Sequence, residues 1–242
     1  MRPTPIEGSI ALVTGANRGI GRAIVERLLA RGAARVYATG RDLNALPDFG
    51  ERCERLALDV TDPAQVRAAA DSIERLSLLV NNAGVVAGFD LLGADAVEKA
   101  RMEMEVNYLG ALRMTHAFAD KLAGGAIANL GSVSSLSAFP GFPTYSATKA
   151  AVHSLTQSSR LVLGARDVSV SGVYPGPVDT EMTRSLEMDK ATPESVADAT
   201  LDGIERGDEE IFPDPFAVAF GQAYLASPKA AEQQVAKMVA EA

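Results

Sequence analysis

Short runs of apolar residues alternate along the chain with longer stretches in which apolar residues recur at helical spacing. The short runs predict seven strands, at residues 10–14, 35–39, 56–60, 78–80, 126–130, 168–173 and 210–212. Short apolar strands joined by helices are typical of a parallel sheet that is covered on both faces. We therefore predict an α/β fold: a single domain over residues 1–242, built on a doubly wound parallel sheet of about seven strands.

Two long helices are predicted from the spacing of apolar residues, at residues 94–122 and 145–163. Pro140 and Pro143 interrupt regular structure just before the second of them. Tyr145 is therefore expected near the beginning of a helix.

A glycine-rich stretch, TGANRGIG at residues 14–21, lies directly between the first strand and the first helix. Ligands of an open parallel sheet bind beyond the carboxyl ends of its strands, which is where this stretch is expected. Gly15, Gly19 and Gly21 permit a tight turn and a close approach of backbone N–H groups to a pyrophosphate. The stretch is a candidate dinucleotide site, and an ordinary glycine turn is the alternative.

Tyr145 and Lys149 are four residues apart on a predicted helix, so their side chains share one face. A phenol has a pKa of about 10, and a neighbouring ammonium favours the phenolate, which makes the phenol a better base near neutral pH. Ser132 follows the predicted strand at residues 126–130, where its hydroxyl can hold a substrate oxygen. These three residues are candidate catalytic groups; a surface pair of Tyr145 and Lys149 is the alternative.

Two arginines bear on the choice of cofactor. An acidic residue at the end of the second strand would bind the ribose 2′-hydroxyl of NAD, but this chain has Thr39, Gly40 and Arg41 there. Arg41 and Arg18 can instead clamp a 2′-phosphate, which favours NADP(H). Asp42 comes late for the NAD role, and a solvated surface position is the alternative for either arginine.

These motifs, with NNAG at residues 81–84, Asn107 and PGPVDT at residues 175–180, resemble the short-chain dehydrogenase/reductase family in order and separation. The resemblance implies a Rossmann-like fold and an NADP(H)-preferring enzyme of carbonyl reductase type. It implies a catalytic tetrad of Asn107, Ser132, Tyr145 and Lys149. It also implies that the cofactor is bound by Gly15, Asn17, Arg18, Gly19, Ile20, Gly21, Arg41, Asp59, Val60, Asn81, Ala83, Gly84, Tyr145, Lys149, Pro175, Gly176, Val178 and Thr180.

The resemblance also implies a role for each member of the tetrad. Tyr145 is the general acid in reduction and the base in oxidation. Lys149 binds the nicotinamide ribose as well, and Asn107 helps to hold a water that leads protons to Lys149. Asp59 and Val60 flank the adenine at the other end of the cofactor.

The composition narrows the partners and the compartment. The formal net charge of −8 argues against non-specific binding to nucleic acid or to anionic membranes. Cys53 is the only cysteine, so no intramolecular disulfide forms, which fits a reducing compartment. No apolar run approaches the length of a membrane span, and no Cys/His cluster has metal-ligand spacing. We expect a cytoplasmic protein without a metal.

The substrate is expected to be a small neutral ketone or aldehyde, or the corresponding alcohol. The residues expected around the catalytic groups are mostly apolar, and they are Val85, Val86, Ser134, Phe139, Phe142, Pro175, Gly176, Met182 and Leu186. Residues 180–193 resemble the substrate lid of the family. Residues 211–242 either cover the pocket or pack against a neighbour.

Small residues on the two long helices favour close packing against a second copy of the chain. They are Ala100, Gly110, Ala111, Ala147, Ala150 and Ala151. A homodimer or homotetramer is expected, with packing inside the subunit as the alternative. We predict an NADPH-dependent oxidoreductase that reduces a carbonyl compound reversibly. A β-ketoacyl thioester reductase of fatty-acid type and a non-catalytic dinucleotide-binding protein are the other candidates.

Overall fold

A seven-stranded, all-parallel sheet forms the centre of the computed structural model, which describes residues 1–240. Its strands are β1 (Ile10–Val13), β2 (Arg35–Gly40), β3 (Cys53–Ala57), β4 (Leu78–Asn81), β5 (Ala126–Leu130), β6 (Ser169–Val173) and β7 (Glu210–Ile211). They are ordered β3-β2-β1-β4-β5-β6-β7. The predicted doubly wound, Rossmann-like fold is therefore confirmed. The order reverses direction between β1 and β4, the point at which such sheets bind ligands.

Eight helices connect and cover the strands within the described residues. They are α1 (Gly19–Ala30), α2 (Pro63–Ser72), α3 (Ala96–Met104), α4 (Gly110–Phe118), α5 (Pro143–Gly164), α6 (Pro193–Arg206), α7 (Pro215–Ala226) and α8 (Pro228–Ala240). Proline fits the first helical position because its missing N–H has no partner there. Asp62, Thr192 and Asp214 then accept hydrogen bonds from backbone N–H groups in the first turns of α2, α6 and α7.

Neighbouring residues of each central strand face opposite layers of the core. In β1, Val13 packs in the layer that holds α1 and α6, whereas Leu12 packs in the layer that holds α2 and α4. Both faces of the strand are therefore apolar, and this produces the uninterrupted apolar runs in the sequence. A third cluster joins α7 and α8 through Ala217, Phe220 and Val235.

The predicted position of the third strand was wrong by three residues. The apolar run at residues 56–60 predicted a strand, but β3 occupies Cys53–Ala57. Because β3 is an edge strand, it exposes Glu54 and Arg55 and has a weak apolar pattern. Leu58 and Val60 are buried, but they lie in the segment that follows the strand. The other six strands match the predicted ranges to within one residue at each end.

The long helix predicted at residues 94–122 is not continuous. A π-helical turn at Glu105–Leu109 separates α3 from α4, and a short 3₁₀ turn follows α4. Asn107 lies in the middle of the π turn and is buried. Such insertions are frequent at functional sites because they change the direction of a side chain without ending the helix.

None of the helices within residues 1–240 combines the length and the apolar character that a membrane crossing requires.

Candidate active site

The glycine-rich loop adopts a backbone conformation that requires glycine. Gly15 and Gly19 have φ angles of +66° and +54°, which favour glycine. A Cβ on Gly21 would lie 2.3 Å from both the Gly15 carbonyl oxygen and Asn82 Nδ2. Asn82 Nδ2 also donates to the carbonyl oxygens of Thr14 and Gly15, at 2.8 and 3.0 Å. The loop is thus held against the end of β4.

Helix α1 begins at Gly19, inside the same loop, and no side chain caps its N-terminus. Its first backbone N–H groups therefore point into the cleft beyond the sheet, an arrangement that suits a phosphate. Thr180 closes the opposite side, because a Cβ on Gly19 would lie 3.1 Å from Thr180 Cγ2. These residues fit the pyrophosphate part of a dinucleotide.

One cleft of about 1250 Å³ runs along the carboxyl ends of the strands. This volume exceeds the range of about 300–1,000 Å³ that is usual for a small-molecule site, so it accommodates a dinucleotide and a substrate together. It is lined by these predicted cofactor residues: Gly15, Asn17, Arg18, Gly19, Ile20, Gly21, Arg41, Asp59, Val60, Ala83, Gly84, Tyr145, Lys149, Pro175, Gly176, Val178 and Thr180. Ser132 lines it as well.

Asn81 is the one predicted cofactor residue that does not line the cleft. Its side chain is buried and its Nδ2 donates to Asn129 Oδ1 at 2.8 Å and to Thr115 Oγ1 at 3.2 Å. The reason is the alternation of side chains along β4. Asn82, the next residue, lies at the cleft instead.

Two exposed arginines, Arg18 and Arg41, line the cleft. Arg41 directly follows β2. Arg18 forms an ion pair with Glu181 of the predicted lid, and an exposed pair of this kind is weak enough for a phosphate to compete. The Asp42 carboxylate accepts a hydrogen bond from the Asn44 N–H at 2.9 Å. Asp42 is therefore engaged in a local turn.

The Asp59 carboxylate also serves its own loop, where the Thr61 N–H and hydroxyl donate to Asp59 Oδ1 at 2.9 and 2.8 Å. This fixes the segment that carries Val60, whose Cγ2 would lie 2.7 Å from a Cβ on Gly110. Asp59 and Val60 thus form a fixed part of the cleft lining.

The predicted catalytic residues converge at the other end of the cleft. Pro143 opens α5, which places Tyr145 in its first turn and Lys149 one turn later. Lys149 Nζ lies 5.5 Å from the centre of the Tyr145 ring and donates to the Leu130 carbonyl oxygen at 2.6 Å. Ser132 lies two residues beyond β5, and its side chain is close enough to Tyr145 to lower the pKa of the phenol.

Asn107 lies close to Lys149, on the side of the site formed by Gly84. A Cβ on Gly84 would lie 3.4 Å from Asn107 Oδ1 and 3.6 Å from Lys149 Nζ, so both atoms face Gly84. Asn107 Nδ2 donates to Thr148 Oγ1 at 2.9 Å, which links it to α5. The structure therefore brings all four predicted catalytic residues to one place.

The structure does not show the expected net lowering of the pKa of the Tyr145 phenol. Burial raises the pKa of Tyr145, the neighbouring Ser132 side chain opposes this, and the charge of Glu103 adds to it. Burial lowers the pKa of Lys149 to about 8.

The substrate end of the cleft is mostly apolar. All nine residues expected around the catalytic groups line it. Met188, Phe216, Met238 and Val239 also line the cleft. They were not among the residues expected around the catalytic groups, although residues 211–242 were expected to be a possible cover. Phe216 and Met238 belong to α7 and α8, whose sequences carry no signal for where they pack. Of the two alternatives for the C-terminal segment, covering the pocket or packing against a neighbour, the structure shows the first: α7 and α8 cover one side of the cleft.

No group of three or more potential metal ligands occurs in the described part of the chain. Cys53 lies on the edge strand β3, and burial raises the pKa of its thiol to about 11. The thiol therefore stays protonated and unreactive near neutral pH.

A parallel sheet with a glycine-rich phosphate loop is typical of dinucleotide-binding folds, and here the Tyr–Lys pair lies in the same cleft. The chain belongs to the short-chain dehydrogenase/reductase family, because the family described as short chain dehydrogenase matches residues 9–191. It is thus an oxidoreductase that uses a nicotinamide cofactor and acts on a small substrate.

Named relatives agree with this assignment. The chain is 36% identical over 236 residues to 3-oxoacyl-(acyl-carrier-protein) reductase of Vibrio cholerae serotype O1, with 93% of each chain covered. It is 37% identical over 195 residues to the reductase of the same name from Escherichia coli K12, covering 76% of this chain and 79% of the relative.

Two solved structures share the fold. A short chain dehydrogenase from Burkholderia cenocepacia J2315, in complex with NADP, has a TM-score of 0.91 and 40% identity, covering 95% of this chain and 98% of that one. A short chain dehydrogenase/reductase from Burkholderia phymatum, in complex with NAD, has a TM-score of 0.79 and 26% identity, covering 89% and 92%.

Proposed function

We propose that the protein uses NADPH to reduce a neutral ketone or aldehyde to the alcohol, and that the reaction is reversible. The observation that carries this proposal is the convergence of Ser132, Tyr145 and Lys149 in one cleft with the glycine-rich loop. The cofactor, when bound, supplies the hydride. The protein has to orient the carbonyl group, donate a proton and exclude water.

Each catalytic side chain has a separate task in this reaction. The Ser132 hydroxyl holds the carbonyl oxygen beside the phenol, and Tyr145 donates its proton to that oxygen. Because burial raises the pKa of Tyr145, the phenol keeps its proton until the oxygen becomes basic. Lys149 holds the nicotinamide ribose, and Asn107 holds the water that resupplies protons through Lys149.

We propose NADP(H) as the preferred cofactor. Arg41 is free of local hydrogen bonds to acidic side chains within residues 1–240 and lies at the end of β2, where a 2′-phosphate is expected. The Asn44 N–H donates a hydrogen bond to Asp42 Oδ1, which makes the Asp42 carboxylate less available to a ribose 2′-hydroxyl. The relative from Burkholderia cenocepacia, which binds NADP, supports this choice.

The lining of the substrate end supports an apolar, uncharged substrate. Phe139, Phe142, Phe216 and Met238 line it. Among the described residues that line the whole cleft, Lys149, Arg18 and Arg41 are the only cations. The flexible thioether side chains of methionines such as Met238 can adapt to apolar substrates of different shapes. Residues 180–193 form the lid. A β-bridge joins Val178, just before the lid, to Ala191 near its other end.

A 3-oxoacyl thioester is the second candidate substrate, because the Vibrio cholerae and Escherichia coli relatives carry the name of such a reductase. An acyl carrier protein is acidic and needs a basic docking surface. The formal net charge of −8 makes such a surface less expected here. The two candidates differ in substrate and share the same catalytic residues.

We also propose that the protein is a cytoplasmic homodimer or homotetramer. Leu161 and Val162 of α5 are 83% and 69% exposed, and Ala147 and Ala150 of the same helix are exposed as well. These residues offer an apolar, closely packing surface. Gly110 packs against Val60 inside the subunit and does not contribute to it.

The experiment is a measurement of NADPH consumption by the purified protein with a panel of apolar ketones, aldehydes and acetoacetyl thioesters. We expect turnover with the simple carbonyl compounds and a higher rate with NADPH than with NADH. Turnover with acetoacetyl thioesters alone would replace our first candidate by the second. Cofactor binding without turnover on any compound would leave a non-catalytic dinucleotide-binding protein.

A further inference from the structure

Glu103 of α3 is a carboxylate that is 0% exposed. Within residues 1–240 it forms no ion pair, and its Oε2 atom has no hydrogen-bond partner. Burying a carboxylate away from a cation is costly, and an apolar side chain would pack here at lower cost. The carboxylate therefore has a purpose beyond filling the core.

The other carboxylate oxygen of Glu103 binds backbone groups of the cleft. Glu103 Oε1 accepts hydrogen bonds from the Ala87 N–H at 2.6 Å and from the Gly88 N–H at 2.9 Å. Asn107, one turn further along, binds the same segment: its Oδ1 accepts from the Val85 N–H at 2.8 Å and its Nδ2 donates to the Val85 carbonyl oxygen at 2.9 Å. Two side chains thus hold residues 85–88, which we name the cleft wall.

The cleft wall reaches from the substrate cleft to the first turn of α5. Val85 and Val86 line the cleft. At the other end, Gly88 packs against Thr144, since a Cβ on Gly88 would lie 2.2 Å from Thr144 Oγ1. Thr144 immediately precedes Tyr145. A displacement of the wall therefore alters the surface on which a substrate lies relative to the phenol.

We infer that Glu103 is a positioning residue: its Oε1 atom clamps the Ala87 and Gly88 N–H groups, and so holds the cleft wall where a carbonyl substrate meets Tyr145. Glu103 does not line the cleft itself, so it acts through the backbone of the wall. The inference rests on the proposed carbonyl reduction. Both hydrogen bonds end on the single Oε1 atom, so the reach of the side chain, rather than its charge, decides whether the wall is held.

Two variants separate the reach of the side chain from its charge. Glu103→Gln keeps an oxygen in place of Oε1 but loses the charge, whereas Glu103→Asp keeps the charge but is one methylene too short. We expect Glu103→Asp to raise KM for the carbonyl substrate about tenfold, because small misplacements in an active site are costly. We expect Glu103→Gln to stay within about threefold of the wild type, and both to bind NADPH normally. Glu98→Asp and Glu98→Gln, at an exposed position of α3, serve as controls.

Equal kinetics in both Glu103 variants, or a larger loss in Glu103→Gln, would overturn the inference. Amide hydrogen exchange gives a readout that does not need turnover. The Ala87 and Gly88 amides should exchange faster in Glu103→Asp than in the wild type and remain protected in Glu103→Gln; unchanged exchange in Glu103→Asp would also overturn it. If the wild type reduces no carbonyl compound, the proposed function fails, and the exchange measurement still decides whether Glu103 is a clamp.

Discussion

The Lys149 ammonium donates a 2.6 Å hydrogen bond to the Leu130 carbonyl oxygen. This bond links α5 to the last residue of β5. Lys149 is buried, and its pKa falls from the ordinary value of 10.5 to about 8. The fold therefore holds a charge in a place that disfavours charge. This is expected where a residue is kept for function at the expense of stability.

Lys149→Met should inactivate the enzyme and stabilise the fold. The lowered pKa corresponds to a cost of about 3 kcal/mol for holding the charged form, and losing the bond to Leu130 returns about 1 kcal/mol of this. The free energy of unfolding should then rise by about 1–2 kcal/mol near neutral pH. Denaturant titration measures the change.

The pH dependence gives an internal control for Lys149→Met. The folded pKa of Lys149 is lower than the unfolded pKa, so between about 8 and 10.5 the unfolded wild type binds more protons than the folded one. Wild-type stability contributed by this group is therefore lowest below pH 8 and rises up to pH 10.5. The advantage of the variant should shrink over the same interval; a constant advantage would mean that folding does not lower the pKa of Lys149.

The raised pKa of Tyr145 predicts that reduction and oxidation depend differently on pH. Reduction requires the protonated phenol, which predominates near neutral pH, so its kcat/KM should be nearly flat below pH 8, where Lys149 is still protonated. Oxidation requires the phenolate, so its kcat/KM should increase about tenfold per pH unit over the same range. Steady-state rates with a ketone and with its alcohol test this. An oxidation rate that does not depend on pH would contradict the assignment of Tyr145 as the base.

Arg41→Asp should weaken NADPH binding about 30-fold while changing NADH binding by less than about threefold. A hydrogen-bonded arginine–phosphate contact is worth about 2 kcal/mol, and only NADPH carries the 2′-phosphate. Titration of the protein with each cofactor measures both constants. Arg22→Asp is the matched control, because Arg22 is exposed on α1 and pairs with Glu26 outside the cleft. An equal loss for both cofactors would remove Arg41 from the phosphate site.

Met238→Glu should lower kcat/KM about tenfold for a bulky apolar ketone, because it places a charge on the apolar side of the cleft. Activity with a ketone too small to reach α8 should not change. Lys237→Glu alters the charge of the exposed neighbouring position and serves as the control. If bulky and small ketones are affected alike, α8 is not part of the substrate site.

The sequence predicted the sheet well because its central strands are apolar on both faces. It failed at β3, whose edge position leaves Glu54 and Arg55 in solvent. It also failed at the π turn around Asn107, because a single inserted residue barely changes the helical spacing of apolar positions. Such features depend on contacts between distant segments and leave little trace in local patterns.

The candidate site shows the same division. The loops after β1, β4 and β6 carried recognisable glycine motifs, and Tyr145 and Lys149 stood out by their spacing on α5. Asn81 was predicted to bind the cofactor because its neighbours belong to a motif, but the alternation of side chains along β4 directs it into the core. The contribution of Met238 depends on how α8 packs against α7, and Glu103 had no signal because a buried acid on a helix looks like an exposed one in sequence.

The central claim is that Tyr145 transfers the proton in carbonyl reduction. Tyr145→Phe removes the hydroxyl and keeps the ring, so the cleft and cofactor binding should be preserved. We predict that NADPH binds within about threefold of the wild type while kcat for the best carbonyl substrate falls about a thousandfold. NADPH consumption by Tyr145→Phe at a rate near that of the wild type would contradict the account.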